Sequence, residues 1–285
     1  MKEKKRKVDL VVISDVHLGT YGCRADRLHD YLQHIKPKIL VLNGDIVDVW
    51  QFSKRYWPKA HMKVIKDVIS MAAKGTQVYY ITGNHDEILR KFAGLKLGSI
   101  EITNKLELIL DGNKTWFFHG DVFDVLMQNS RWIEKAGAIG YDFLILVNVM
   151  VNFFTRLFGK KRVSISKKIK ENVKTAVKYI SRFEITAARL ALKNGFHAIV
   201  CGHIHQPEIR QISLDNCSIV YMNSGDWIEN LTSLEYNEGE WCVHRHPDET
   251  QKNTLLIEED VDESLVEMDN KEVFKMVMKE FQIQS

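Results

Sequence analysis

The sequence predicts an α/β fold, a largely parallel sheet flanked by helices, and three features carry that prediction. Short β-branched runs alternate with amphipathic helical segments through the first half of the chain. The strand pattern stops across residues 122–195 and resumes after them. Polar, mostly glycine-punctuated motifs follow one strand after another, at the strand ends where α/β sheets present their ligand-binding loops.

The first strands are expected at VDLVVIS (8–14), KILVLNG (38–44), QVYYITG (77–83) and KTWFFHG (114–120), each apolar enough to be buried on at least one face. Arg24 to Ile35 and His61 to Ala73 read as the intervening helices, the second closed by Lys74-Gly75 as a C-cap. Strand–helix–strand order implies right-handed crossovers and parallel pairing. Residues 122–195 hold no strand-like run. Their apolar positions recur at helical spacing, broken near Gly159 and bounded by Gly195, which predicts an insertion of several helices. Strands return at HAIVCG (197–202), IRQISL (209–214) and SIVYMN (218–223). SLEYNEGEWCVHRH (233–246) reads as a hairpin turning at Asn237-Glu238-Gly239. Pro247 opens an acidic extension in which Lys271 to Phe281 has the pattern of a short amphipathic helix. The expected organisation is a domain over 1–246, with 122–195 as a helical lid or insertion, and an extension over 247–285.

With 285 residues, 45% hydrophobic and 27% charged, the chain can bury a sizeable core. A net charge of +3 gives no reason to expect a nucleic-acid partner. Charge is nevertheless uneven: MKEKKRK at the start is basic, and Lys160 to Arg182 holds nine Lys or Arg against one acid, Glu171. The four cysteines form no CxxC pair, which argues against a disulfide framework or a thiolate zinc site and suits a reducing compartment. The basic start runs straight into a strand without a signal-peptide pattern. The longest apolar stretch, Phe143 to Phe158, is interrupted by Asn148, Asn152 and Arg156. A cytoplasmic protein is expected.

Chemistry concentrates at the strand ends. Asp15-Val16-His17 follows the first strand, Gly44-Asp45 with Asp48 the second, and Gly83-Asn84-His85-Asp86 the third. His119-Gly120-Asp121 ends the fourth, and Gly202-His203-Ile204-His205 follows the strand after the insertion. Each motif alone can be a turn, a helix cap or a surface histidine. Five in succession have no structural reason to exist unless their loops share a ligand. Histidines, aspartates and one asparagine, with no thiolate, suit Mn²⁺, Fe²⁺, Zn²⁺ or Co²⁺ and are too many for one cation. Two such cations about 3.5–4 Å apart can clamp a phosphoryl group and lower the pKa of water.

The ordered series D-x-H, GDxxD, GNHD, HGD and GHxH resembles the calcineurin-like metallophosphoesterase superfamily over roughly residues 8–226. The resemblance implies its fold, a β-sandwich of mixed sheets flanked by helices in four αββα layers, here with a helical insertion. It also implies two divalent metal ions, manganese first, with iron or zinc as alternatives. By motif, Asp15, His17, Asp45 and His205 would hold one ion, and Asp45, as bridge, with Asn84, His119 and His203 the other. His85 would stand beside the scissile phosphate as the catalytic acid, oriented by Asp48, and Asn84 would also touch substrate.

Within the superfamily, SDVHLGTYGCRAD, the helical insertion and MNSGDWIENLTSLE are most similar to the UDP-2,3-diacylglucosamine pyrophosphatase branch. That likeness implies hydrolysis of a lipid-linked nucleotide diphosphate in lipid A biosynthesis, with the insertion as an acyl-chain lid. Phe143, Leu146, Met150 and Phe154 supply its apolar side. Lys167, Lys168 and Lys170 would meet phosphates or the inner face of a membrane, making the protein peripheral there. One departure stands out: the best-characterised members of that branch carry Arg where this chain has His85. GNHD is the general superfamily pattern, so a phosphodiesterase or phosphatase acting on soluble nucleotides or phosphoproteins is the second expectation.

Overall fold

The computed structural model describes residues 5–50, 56–123, 165–214 and 217–247, and the side chains of the helix opening the third segment from residue 179 onward. All of them fall within a unit spanning Met1–His246, apart from Pro247. β1 (Arg6–Ile13), α1 (Ala25–His34), β2 (Ile35–Asn43), α2 (Lys59–Ala73) and β3 (Gln77–Ile81) form the expected strand–helix alternation. α1 buries Ala25, Leu28, Tyr31 and Leu32, one stripe at helical spacing. It runs into β2 at Ile35 with no intervening loop. α2 ends at Lys74, whose N–H bonds the carbonyls of Ala72 and Met71, and Gly75 follows with φ +94°.

After a 3₁₀ turn over Glu87–Phe92 come β4 (Lys96–Leu97), β5 (Ile100–Thr103), β6 (Leu106–Leu110) and β7 (Asn113–Phe117). The helix α3 (Ile165–Lys193) precedes β8 (Ala198–Cys201), β9 (Glu208–Leu214), β10 (Cys217–Asn223), β11 (Thr232–Asn237) and β12 (Glu240–Arg245). β11 and β12 are the two arms of the expected hairpin, pairing Asn237 with Glu240 across the turn.

These strands divide into two mixed sheets. The seven-stranded one has the order β12-β11-β1-β2-β3-β5-β4, with β1, β2, β3 and β5 parallel. The five-stranded one has the order β6-β7-β8-β10-β9, with β7, β8 and β10 parallel. Their inner faces share one core: Leu10, Val12, Val41 and Ile81 of the first sheet pack with Phe117, Val200 and Met222 of the second. α1 and α2 cover the outer face of the larger sheet through Leu28, Leu32, Val64 and Met71. α3 covers the smaller through Phe183, Ala187, Ala188 and Ala191. Each fully buried Leu or Phe contributes roughly 1.5–3 kcal/mol of transfer free energy. The result is a four-layer αββα sandwich.

Two differences from the sequence reading have physical causes. The strands between residues 96 and 110 are two to five residues long and lie toward sheet edges, where burial alternates weakly and the periodicity is faint. Within the range read as an insertion, the α3 residues from Phe183 to Ala191 are a core layer on the smaller sheet, which the apolar spacing of a helix cannot distinguish from a lid. The apolar stretch around Phe143 to Phe158, the remaining residues of 124–164 and the extension beyond Pro247 lie outside the described residues. Lys167, Lys168 and Lys170 fall in the first turns of α3, where side chains are not described.

Candidate metal centre

β1, β2 and β3 are parallel, so the loops after them leave from the same edge of the sheet, and the turns after β7 and β8 join them there. Asp15, Asp45 and His119 are almost wholly buried, and His17 is 6% exposed. Three clusters of side-chain donors result, each with its ligand atoms within 4.8 Å of one another: Asp15, His17 and His205; Asp45, His119 and His203; and His17, Asp48 and His85. Every histidine and aspartate singled out from the sequence as a metal ligand is in the first two clusters.

Hydrogen bonds determine which atoms point inward. His119 Nδ1 lies 2.9 Å from the Asn43 carbonyl oxygen. A carbonyl only accepts, so Nδ1 carries a proton and, in the neutral ring that a metal requires, Nε2 presents a lone pair. That lone pair lies 3.1 Å from Asp45 Oδ2, without forming a hydrogen bond. His17 repeats the pattern: Nδ1 is 3.2 Å from Asp48 Oδ2, and Nε2 faces Asp45 Oδ2 at 4.0 Å. His205 Nε2 is 3.1 Å from Asp15 Oδ1. Lone pairs aimed at carboxylates repel unless a proton or a metal cation stands between them.

The donor set fits such a cation. His17 Nε2, His119 Nε2 and Asn84 Oδ1 are buried with no hydrogen-bond partner in the protein, at a cost of about 1–3 kcal/mol each unless something satisfies them. The backbone also bears strain here. Of the eight non-glycine residues with positive φ among those described, five are Asp15, His17, Asp45, His203 and His205. Left-handed aspartate and histidine are uncommon, and such conformations cluster where a ligand site requires them. Nothing in the residue types announces them, so the sequence reading could not find them.

Glycine at two motif positions is a matter of space. A Cβ on Gly44, whose φ is +84°, would fall 2.3 Å from His119 Nδ1, and one on Gly83 would fall 2.2 Å from Asp45 Oδ1. Backbone and ligand side chains pack against each other too closely for any side chain there. Asp86, the last residue of GNHD, binds the loop together: its carboxylate accepts from the Gly83 and Ile46 N–H groups at 2.6 and 3.0 Å and from the Tyr80 hydroxyl at 2.6 Å.

Asp48 lies between two imidazoles, 3.2 Å from His17 Nδ1 and 2.8 Å from His85 Nδ1. Trp50, 59% exposed, sets its ring 5.0 Å from that of His85. Arg90 is a contributor the sequence reading missed. Its guanidinium pairs with Asp121 of the HGD turn and reaches the Gly83 carbonyl at 3.3 Å, connecting the loops that carry Asn84 and His119. An arginine five residues past His85 has no sequence signature of such a bridge.

Electrostatics follow from the geometry. Burial alone would raise the Asp15 carboxyl, but His205 and His119 hold it down at about 2. Asp45 is likewise lowered: burial acts against its charged form, and His119, His17 and His85 outweigh it. Burial disfavours protonation of His205, yet Asp15 and Asp226 push it up to about 9. His119 also rises well above its ordinary value, burial being outweighed by Asp45 and Asp15. Without metal, protons occupy imidazoles that a cation needs neutral. Metal uptake therefore releases protons, and affinity rises with pH. Below about pH 9, the His205 proton alone should weaken Mn²⁺ binding about tenfold for each pH unit lowered. Titrations of Mn²⁺ into metal-free protein at several pH values between 6.5 and 9 check this, and pH-independent affinity would contradict it.

An αββα sandwich that gathers buried imidazoles, carboxylates and an amide oxygen at its strand ends defines a class, the metal-dependent phosphohydrolases. The chain belongs to the calcineurin-like phosphoesterase family, whose model matches residues 8–207. It is similar to the UDP-2,3-diacylglucosamine hydrolase of Aliivibrio fischeri, 24% identical over 240 residues that cover 83% of this chain and 98% of that protein. The protein of the same name from Shewanella piezotolerans is 25% identical over 256 residues, covering 86% and 96%. That from Aeromonas hydrophila is 23% identical over 244 residues, covering 82% and 97%. The chain is a metal-dependent hydrolase of phosphoric esters or diphosphates.

Proposed function

We propose that the protein hydrolyses the diphosphate of a nucleotide-sugar lipid, UDP-2,3-diacylglucosamine or a close analogue, to UMP and 2,3-diacylglucosamine 1-phosphate in lipid A biosynthesis. The observation that carries this substrate class is the similarity to proteins named for it, which runs over more than four-fifths of this chain and nearly all of theirs. In this reading Asp15, His17, Asp45 and His205 hold one divalent ion, and Asp45, Asn84, His119 and His203 the other, with Mn²⁺ preferred to Fe²⁺ or Zn²⁺. When bound, the pair supplies Lewis-acid charge to the phosphoryl oxygens and lowers the pKa of water.

The chain's own groups do the rest. The Asn43 carbonyl and Asp48 hold the His119 and His17 rings with Nε2 turned inward. Burial lowers the pKa of His85, but contact with Asp48 and the charge of Asp45 raise it above its ordinary value. That shift favours the protonated ring, and with Nδ1 against Asp48 its Nε2–H can donate to the leaving phosphate oxygen. Water oxygen bonds to phosphorus and gives up one proton to solvent, the P–O–P bond breaks, the proton from His85 goes to the departing oxygen, and His85 regains a proton from solvent. Trp50 beside His85 limits water on that side.

Lipid substrate implies work at the cytoplasmic face of a membrane, with the helical insertion and Lys167, Lys168 and Lys170 as the contact. Among the described residues no helix is long and apolar enough to cross a bilayer, so the association would be peripheral. A second reading, a phosphodiesterase or phosphatase for soluble nucleotides or phosphoproteins, is favoured by His85 itself, the general superfamily residue at that position. Product analysis with Mn²⁺-loaded protein separates them. Release of UMP from UDP-2,3-diacylglucosamine, faster than hydrolysis of ATP, of bis(p-nitrophenyl) phosphate and of a phosphopeptide, supports the lipid reading. Cleavage of the simple esters without UMP release contradicts it.

A further inference from the structure

Opposite the metal-ligand clusters, the N-terminal ends of β1, β2 and β3 frame a cavity. It lies between α1 and α2 and has a volume of about 1040 Å³. Ile35 and Lys36 at the start of β2 line it, and Asp45 lies just past the other end of that nine-residue strand. At about 3.3 Å per residue the two sites are roughly 30 Å apart.

The lining is strongly basic. Lys5, Lys36, Lys63, Lys66 and Lys74 face the cavity with one acid, Asp67. Asp67 is itself engaged within the fold: one carboxylate oxygen accepts from Gln33 Nε2 at 2.5 Å and the other lies 2.5 Å from His29 Nδ1. Lys36, Lys63, Lys66 and Lys74 are exposed and make no ion pair with any described residue. Lys63, Lys66, Ser70 and Lys74 recur at helical spacing along α2, so they form one stripe, about 16 Å from end to end at 1.5 Å per residue. Buried Leu32, Ile35 and Met71 make an apolar floor beneath them.

Unpaired like charges lining a concave, partly apolar wall repel one another and focus a positive potential into the cavity. A single phosphate would engage one end of such a stripe, whereas a chain of phosphates would neutralise its length. We infer that this groove binds a polyphosphorylated anion, at a site independent of the metal centre and of the hydrolytic reaction. The shared chemistry is a run of phosphates, borne by a nucleotide or by inorganic polyphosphate.

Calorimetric titration of Mn²⁺-loaded protein with the hydrolysis-resistant imido analogues of tripolyphosphate and of ATP tests this. The wild type is compared with the triple variant Lys63→Glu, Lys66→Glu, Lys74→Glu. The metal centre is identical in both proteins, so any difference reads the groove. The groove predicts affinity at least about tenfold weaker in the variant, and wild-type binding that weakens as salt rises from about 50 to about 300 mM. Hydrolysis of bis(p-nitrophenyl) phosphate should be unchanged, since none of the three lysines belongs to the metal centre. Tighter binding of the ATP analogue identifies a nucleotide, and equal affinities identify the phosphate chain alone. Indistinguishable titrations of the two proteins overturn the proposal. So does tighter binding of an RNA oligonucleotide, lost in the same variant, which would make the groove a nucleic-acid surface instead.

Discussion

Replacing Asp45 with alanine should lower kcat by at least roughly 10³-fold, because in the proposed site it removes the carboxylate that would bridge the two ions and with it several kcal/mol of charge stabilisation. Asp45 Oδ2 stands 3.1 Å from His119 Nε2 and 4.0 Å from His17 Nε2, and Oδ1 accepts the His85 N–H at 2.8 Å. Among the described residues it is the side chain that approaches His17, His119 and the GNHD loop together. The loss should therefore appear in metal content as well as in rate: elemental analysis after dialysis should find fewer than two equivalents of Mn²⁺ per chain. Asp45→Asn keeps the shape but halves the acceptor capacity and removes the charge, so its loss should be nearly as large. A variant that stays folded by circular dichroism, keeps its metals and turns over normally would remove Asp45 from the mechanism.

His85→Gln should lower kcat by roughly 10²–10⁴-fold, the usual contribution of a positioned general acid, while leaving metal content unchanged. The separation follows from the geometry. His85 lies 2.8 Å from Asp48 and, ring to ring, 5.0 Å from Trp50, whereas the clusters around Asp15 and Asp45 close without it. The defect should also depend on the leaving group. Substrates that release an oxyanion of low pKa need little protonation, so p-nitrophenyl esters should suffer least and alkyl esters or diphosphates most. Equal losses across leaving groups would assign His85 to binding rather than to proton transfer.

The layout of the site was legible in the sequence because its chemistry is local. Each ligand follows an apolar run within a few residues, and glycine marks the turns where backbone and ligands pack closest, as the crowding at Gly44 and Gly83 explains. The alternation of β1, α1, β2, α2 and β3 was legible for a related reason, since their buried stripes are long enough to show a period. What remained hidden depends on distance in three dimensions. Nothing near Arg90 in sequence reveals that it joins Gly83 to Asp121, and nothing near Asn43 shows that its carbonyl selects the tautomer of His119, seventy-six residues away. Asp48 was read as serving His85, and the structure places it beside His17 as well, 3.2 Å from its Nδ1. The positive φ angles of the ligands are invisible because aspartate and histidine do not advertise them as glycine would.

Anomalous X-ray diffraction from crystals grown with Mn²⁺ tests the convergence of these loops most directly. Two peaks about 3.5–4 Å apart are expected, one against Asp15, His17 and His205, the other against Asn84, His119 and His203, with Asp45 between them. A single peak, or manganese bound away from Asp45, would contradict a paired-metal centre.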